Sequence, residues 1–244
     1  MNLTELFSDS FTYPLRDANK FLFLGAVFIV GALLTIIPVF VSAVLSINVG
    51  TSLLLAQITF IVMIIIFFII SVIISGYGIS VIRKTLLNPD MVPSFDLVKN
   101  LVRGFKFVLL SVVYYLIPVT LSLIVSYFAN LSIAFLVLFI LSVIATFFLI
   151  IAISRLAETN SLKKALAIDE VIEDIHKIGM ANYIVWIVLY ITLGFLILTF
   201  SFMIMSIPII GLIICFLAIM PFIAMFSARA IGLLYNESKL ILSN

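Results

Sequence analysis

The stretch FLFLGAVFIVGALLTIIPVFVSAVLSINVGTSLLLAQITFIVMIIIFFIISVIISGYGISVI, residues 21–82, holds no Asp, Glu, Lys, Arg or His. A helix needs about 20 apolar residues to cross the hydrocarbon core of a bilayer, so this stretch can cross twice. Residues 107–154 and 178–228 form two more charge-free stretches, of 48 and 51 residues. Because helices satisfy their own backbone hydrogen bonds in lipid, we expect an all-α membrane protein with six transmembrane helices, arranged as three helical hairpins.

The composition excludes an ordinary soluble protein. The chain is 65% hydrophobic and 10% charged, whereas a soluble domain carries about 25% charged residues. Its 13 Lys and Arg against 11 Asp and Glu form no concentrated basic face, so we expect no nucleic-acid partner. The single cysteine, Cys215, excludes an internal disulfide. We expect one membrane domain over residues 1–244.

Polar turn residues divide each charge-free stretch into two spans. The breaks are expected at 48–52, 130–132 and 206–208, where Asn, Gly, Ser and Pro interrupt the apolar sequence. The predicted spans are about 21–46, 53–82, 105–128, 133–154, 181–205 and 209–234. In this layout all 13 Lys and Arg lie on one side and none lies in the three turns. The positive-inside rule therefore predicts a cell-membrane protein with both termini in the cytoplasm.

Amphipathic segments precede the first span of each hairpin, at about 4–18, 94–104 and 161–177. Their apolar residues recur at helical spacing, which predicts helices lying in the cytoplasmic interface. We call them pre-span segments, and Ser94 is the expected N-cap of the second. The second span of each hairpin ends on an arginine, Arg83, Arg155 or Arg229, so the chain reads as a threefold internal repeat.

The predicted spans hold no ionisable side chain in their apolar interior, which argues against an ion-driven pump. Gly76-Tyr77-Gly78 follows a helical rather than a strand pattern, so it predicts close helix packing and not a phosphate-binding loop. An alternative function is a transporter or channel for an uncharged or amphiphilic solute, with a hydrated path near Gln57 and Thr59.

The densest acidic cluster lies in the third pre-span segment. Glu170, Glu173 and His176 have a spacing that allows an interfacial metal enzyme. A solvated helix with a Glu173–Lys177 pair is the competing and favoured interpretation. We therefore assign no catalytic residue, no metal site and no cofactor.

Basic residues at the cytoplasmic side are the candidate contacts for lipids or partner proteins. Each can attract anionic lipid by about 1 kcal/mol, although the positive-inside bias alone would also place them there. The set is Arg83, Lys84, Lys99, Arg103, Lys106, Arg155 and Arg229. The main hypothesis is a non-enzymatic membrane protein that contacts membrane lipids, or other membrane proteins, through this face. The sequence leaves the oligomeric state open.

Three motifs resemble a known family: SFTYPLRDANKF (10–21), the region from GYGISVIRK to YYLIP (76–118), and IDEVIEDIHKIGMANYIVWIV (168–188). They are similar to a prokaryotic, largely archaeal, multi-pass membrane family, domain-of-unknown-function family 4013. The resemblance runs from about Phe11 to Tyr235, and Phe95 stands where the family favours tryptophan. It implies a multi-pass membrane protein without an established activity, so it transfers no catalytic residue.

Overall fold

The computed structural model describes residues 2–49, 53–87 and 90–240. Its helices are α1 Leu3–Thr12, α2 Ala18–Val49, α3 Leu53–Leu87, α4 Leu97–Phe128, α5 Leu131–Thr159, α6 Leu162–Ala165, α7 Ile168–Ile178, α8 Met180–Met205, α9 Ile210–Ile214 and α10 Met220–Leu240. A 3-10 turn at Tyr13–Arg16 joins α1 to α2, and a π turn at Cys215–Ile219 joins α9 to α10. Six of the described segments are long and apolar enough to span a membrane: α2, α3, α4, α5, α8 and the continuous α9–α10. The all-α class and the six spans are thus confirmed.

Two of the predicted boundaries coincide with local features of the sequence. Asn130 caps α5, because its side chain accepts a hydrogen bond from the backbone N–H of Ile133 at 2.9 Å. α8 ends at Met205, immediately before the predicted Ser-Ile-Pro break. The break predicted at 48–52 includes residues 50–52, which lie outside the described residues.

The second pre-span segment differs from the prediction. Residues 97–104 are not a separate helix but the first turns of α4, which continues to Phe128 without interruption. The N-cap is Asp96, whose carboxylate accepts from the N–H of Lys99, and not Ser94. Nothing in this part of the chain breaks a helix, because Gly104 lies within regular helical backbone and only lacks a side chain.

The second helices of the three pairs, α3, α5 and α10, meet one another at the charged end of the bundle. α4 packs against both α3 and α5. α2 likewise packs against α3, and against the π turn and α10 of the last span. α8 contacts α5 through Tyr183, whose hydroxyl donates to the carbonyl of Phe147 at 2.5 Å, and contacts α10 through stacked Tyr190 and Phe226. The pairs are α2–α3, α4–α5 and α8–α10. The first helix of each pair therefore lies between the second helix of its own pair and the neighbouring pair, so that the three pairs close a ring.

Close packing is concentrated at the end of the bundle that carries the charges. In α3 the buried side chains lie between Val72 and Thr85, and none of the side chains at positions 56–71 is buried. α3 and α4 cross most closely at Gly76 and Gly104. A Cβ on Gly76 would lie 1.7 Å from the carbonyl oxygen of Asn100, and one on Gly104 would lie 1.8 Å from that of Val72. The predicted packing role of Gly76 is confirmed.

Candidate functional site at the charged end

Arg155 joins the end of α5 to the third pre-span segment. Its side chain is only 11% exposed, and its Nη1 lies 2.5 Å from the Asp174 carboxylate. It also pairs with the Glu170 carboxylate, and its Nε donates to the carbonyl of Lys164 at 3.2 Å. α6 and α7 are thus held against α5 by one arginine whose charge two carboxylates neutralise.

Arg229 makes the equivalent connection between α10 and the first pre-span segment. Its side chain is 2% exposed, and its Nε lies 2.6 Å from the Asp9 carboxylate. Nη1 donates to the Thr85 hydroxyl at 3.3 Å, and the guanidinium lies over the Tyr13 ring, 4.8 Å from its centroid. Since the contact joins residues 220 positions apart, it closes the ring of helix pairs.

The electrostatics of this contact are consistent with a buried ion pair. Burial acts to raise the pKa of Asp9, but the hydrogen bonds and charges of Arg229 and Arg16 outweigh it and hold that pKa below its ordinary value. Burial raises the pKa of Tyr13 to about 12. The neutral Tyr13 hydroxyl donates to the carbonyl of Met91 at 3.2 Å, which ties the 3-10 turn after α1 to the loop between α3 and α4.

The third contact, between the end of α3 and the start of α4, lacks a carboxylate. Arg103 Nη1 donates to the Ser80 hydroxyl at 2.6 Å, and that hydroxyl donates to the Asn100 side-chain oxygen at 3.0 Å. Within residues 2–49, 53–87 and 90–240, neither Arg83 nor Arg103 forms an ion pair, and the two positive charges repel each other. The carboxylate of the nearby Asp96 is paired with Lys99 Nζ, at 2.8 Å.

Asn100 contributes a buried polar side chain to this contact. Its side chain is 1% exposed, and its Nδ2 has no hydrogen-bond partner among the described residues. A buried amide donor left without a partner costs about 1–3 kcal/mol. The α3–α4 contact is therefore the one place at this end where positive charge and a buried unsatisfied polar atom occur together, in the part of the chain that the structure describes.

The seven basic residues singled out in the sequence thus fall into different groups. Arg155 and Arg229 are buried in internal ion pairs, and Lys99 is paired with Asp96. Lys106 Nζ donates to the backbone and side-chain oxygens of Asn160, at 2.9 and 3.0 Å, which caps the end of α5. Arg83 and Lys84 are half-buried near the end of α3, and the positive charge of Arg83 acts on that of Arg103.

Sequence reasoning missed the acidic partners. One feature of the sequence could have indicated these partners. The first and third pre-span segments contain Asp9 and Asp174, whereas the second has the uncharged Asn100 at its contact with α3. Sequence reasoning also missed Glu158, which pairs with Lys239 at 2.5 Å and accepts a hydrogen bond from the Tyr235 hydroxyl at 2.9 Å.

The acidic cluster of α7 is occupied by internal contacts. Glu170 pairs with Arg155, and the Glu173 carboxylate lies 2.8 Å from Lys177 Nζ, which confirms the predicted i,i+4 pair. The Lys177 hydrogen bond lowers the pKa of Glu173. Among the described residues no three His, Cys, Asp or Glu side chains form a group that could hold a metal ion.

The residues suggested for a solute path do not line the principal cavities. Gln57 is exposed, and Thr59 is half-buried. Five well-formed cavities are lined by other side chains, and one of them, of about 600 Å³, lies between α2, α3 and the π turn.

The fold and this charged end define a multi-pass integral membrane protein. The family model described as "Protein of unknown function (DUF4013)" matches residues 59–206, more than half of the chain. The protein belongs to that family, although the match is shorter than the range suggested by the motifs. No curated protein and no solved structure matches the chain.

Proposed function

We propose that this membrane protein is non-enzymatic and binds anionic phospholipid head groups at its charged end, through Arg83, Lys84 and Arg103. One observation carries the proposal. Arg155 and Arg229 each have an internal carboxylate partner, but Arg83 and Arg103 have none among the described residues. An external phosphate would supply the missing negative charge.

The chemistry of the side chains supports a phosphate as the ligand. Guanidinium groups bind phosphate oxygens in a fork geometry and lose little conformational freedom in doing so. A bound anion would also relieve the repulsion between Arg83 and Arg103. Arg155 and Arg229 are left out of this proposal, because their charges are already neutralised inside the bundle.

The test is lipid retention by the Arg83→Gln/Arg103→Gln variant. In nanodiscs that contain phosphatidylglycerol and phosphatidylcholine, the fraction of phosphatidylglycerol that co-purifies is measured by mass spectrometry. Loss of two contacts worth about 1 kcal/mol each weakens the preference for phosphatidylglycerol by about 30-fold. The matched control is Lys163→Gln/Lys164→Gln, which removes the same charge from exposed positions of α6. If both variants lose the same amount of phosphatidylglycerol, the effect depends only on net charge and the proposed site is refuted.

We also infer that the charged end faces the cytoplasm of the cell, because all Lys and Arg residues lie on that side of the predicted layout. A cysteine introduced at Lys163 should be protected from a membrane-impermeant thiol reagent in intact cells, in a Cys215→Ser background. A cysteine introduced at Ser132 should react. The reverse pattern would contradict this orientation.

A further inference from the structure

We propose a second lipid site, separate from the Arg83–Arg103 contact and independent of it. A groove between α2, α3 and the start of α4 holds one phospholipid by its phosphate and by one acyl chain. The groove consists of two cavities, a polar and an apolar compartment, which meet at the contacting rings of Phe23 and Phe95, 5.3 Å apart between their centroids.

The polar compartment lies at the charged end of the bundle and has a volume of about 280 Å³. Asn19 and Ser94 line it with exposed side chains, so their amide and hydroxyl groups are accessible. Lys20 Nζ donates to the carbonyl of Val92 at 2.8 Å and pairs with Asp17 at 3.0 Å. An ammonium group has three protons, so one remains for a ligand oxygen. The compartment therefore presents a hydroxyl, an amide and a positioned ammonium group.

The apolar compartment continues from Phe23 along the membrane-spanning part of α2 and has a volume of about 340 Å³. Ala26, Val30 and Leu34 line it at four-residue spacing, which places them on one face of the helix. At 1.5 Å per residue, these positions cover about 12 Å of the helix axis. Ile70 and Ile73 of α3 form the opposite wall. The shape suits an acyl chain that runs parallel to α2.

The combination of the two compartments identifies the occupant. A small polar ligand would leave the apolar compartment empty, and a hydrocarbon would use none of the hydrogen-bonding groups of the polar compartment. A phospholipid fills both, with its phosphate accepting from Asn19, Lys20 and Ser94. Because Asp17 balances the charge of Lys20, the site does not require an anionic lipid. It should accept zwitterionic phosphatidylcholine, which distinguishes it from the Arg83–Arg103 contact.

The experiment uses the full chain in nanodiscs that contain phosphatidylcholine with a photoactivatable group on one acyl chain. Crosslinked peptides are identified by mass spectrometry, with crosslinks expected in the α2 peptide that contains Ala26 and the α3 peptide that contains Ile70. Ala26→Trp should abolish them by filling the apolar compartment. Leu33→Trp is the control, because Leu33 is 51% exposed on the same helix and lines neither compartment.

The head-group half of the site is tested by Asn19→Ala/Ser94→Ala, which leaves the Lys20 contacts in place. The loss of two hydrogen bonds of ordinary strength reduces crosslinking about 30-fold. If Ala26→Trp and Leu33→Trp crosslink equally, the groove holds only unselected bilayer lipid and the proposal fails. It also fails if Asn19→Ala/Ser94→Ala has no effect. Arg83→Gln/Arg103→Gln should leave these crosslinks unchanged, so this site and the proposed function can fail separately. Size-exclusion profiles confirm that each variant is folded.

Discussion

Replacement of Gly76 by alanine should destabilise the protein by pushing α3 and α4 apart. The added Cβ would lie 1.7 Å from the Asn100 carbonyl oxygen and 2.7 Å from the backbone nitrogen of Gly104. Ordinary van der Waals contact begins at 3.4 Å, and separations under 3.0 Å require something to shift. Since both colliding atoms belong to the backbone, no side-chain rotation relieves the contact. The two helices must separate by more than about 1 Å at the centre of the packed end.

The expected cost follows from two opposing effects. Overpacking of a well-packed interior costs about 1–3 kcal/mol, and the upper end applies here because whole helices must move. Replacing glycine by alanine within a helix stabilises that helix by about 0.5–1 kcal/mol. The net loss is about 2 kcal/mol, which corresponds to a Tm lowered by about 4–8 °C for a chain of this size.

The assay is thermal unfolding in detergent, followed by the fluorescence of Trp186, which is fully buried. Gly78→Ala is the matched control, because a Cβ at that position meets only the Cβ of Ala228, at 4.0 Å. A second control is Gly194→Ala, where a Cβ meets nothing within 4 Å. Both controls should equal or exceed the stability of the parent protein. If Gly76→Ala unfolds at the same temperature as Gly78→Ala, the close crossing of α3 and α4 is refuted.

Two further predictions concern the terminal arginines and their partners. Because the pKa of Asp9 in the folded protein lies below its ordinary value of 3.8, its ion pair stabilises the protein above about pH 4 and is lost as the pH falls through the folded value. Asp9→Asn should therefore be less stable at pH 7 and lack that part of the acid-induced loss of Tm; parallel pH profiles for the two proteins would contradict the assignment. Asp174→Asn leaves the buried Arg155 with only the more exposed Glu170 and should cost about 3 kcal/mol or less. Arg83→Gln breaks no ion pair among the described residues and should change the free energy of unfolding by less than about 0.5 kcal/mol. Similar losses of stability in Asp174→Asn and Arg83→Gln would show that the contacts of Arg155 and Arg83 do not differ as described.

Much of the fold follows from local features of the sequence. Three charge-free stretches identify the six spans, because the cost of placing charge in a bilayer depends on residue type and hardly on tertiary contacts. Asn130 and the Ser206-Ile207-Pro208 break also act locally, through capping and a missing backbone donor. The Glu173–Lys177 pair was predictable for the same reason, since residues four apart are neighbours on any helix.

The continuity of α4 and the different roles of the terminal arginines depend on long-range contacts. Both an interfacial helix and the start of a span are helical and amphipathic, so the pattern at 94–104 could not distinguish them. Arg83, Arg155 and Arg229 occupy equivalent positions of the predicted repeat, yet their partners depend on how the helix pairs close into a ring. Asp9 meets Arg229 across 220 positions of the chain. That pairing, and the lack of an ion pair for Arg83 and Arg103 among the described residues, arise from packing, because no sequence periodicity connects groups so far apart.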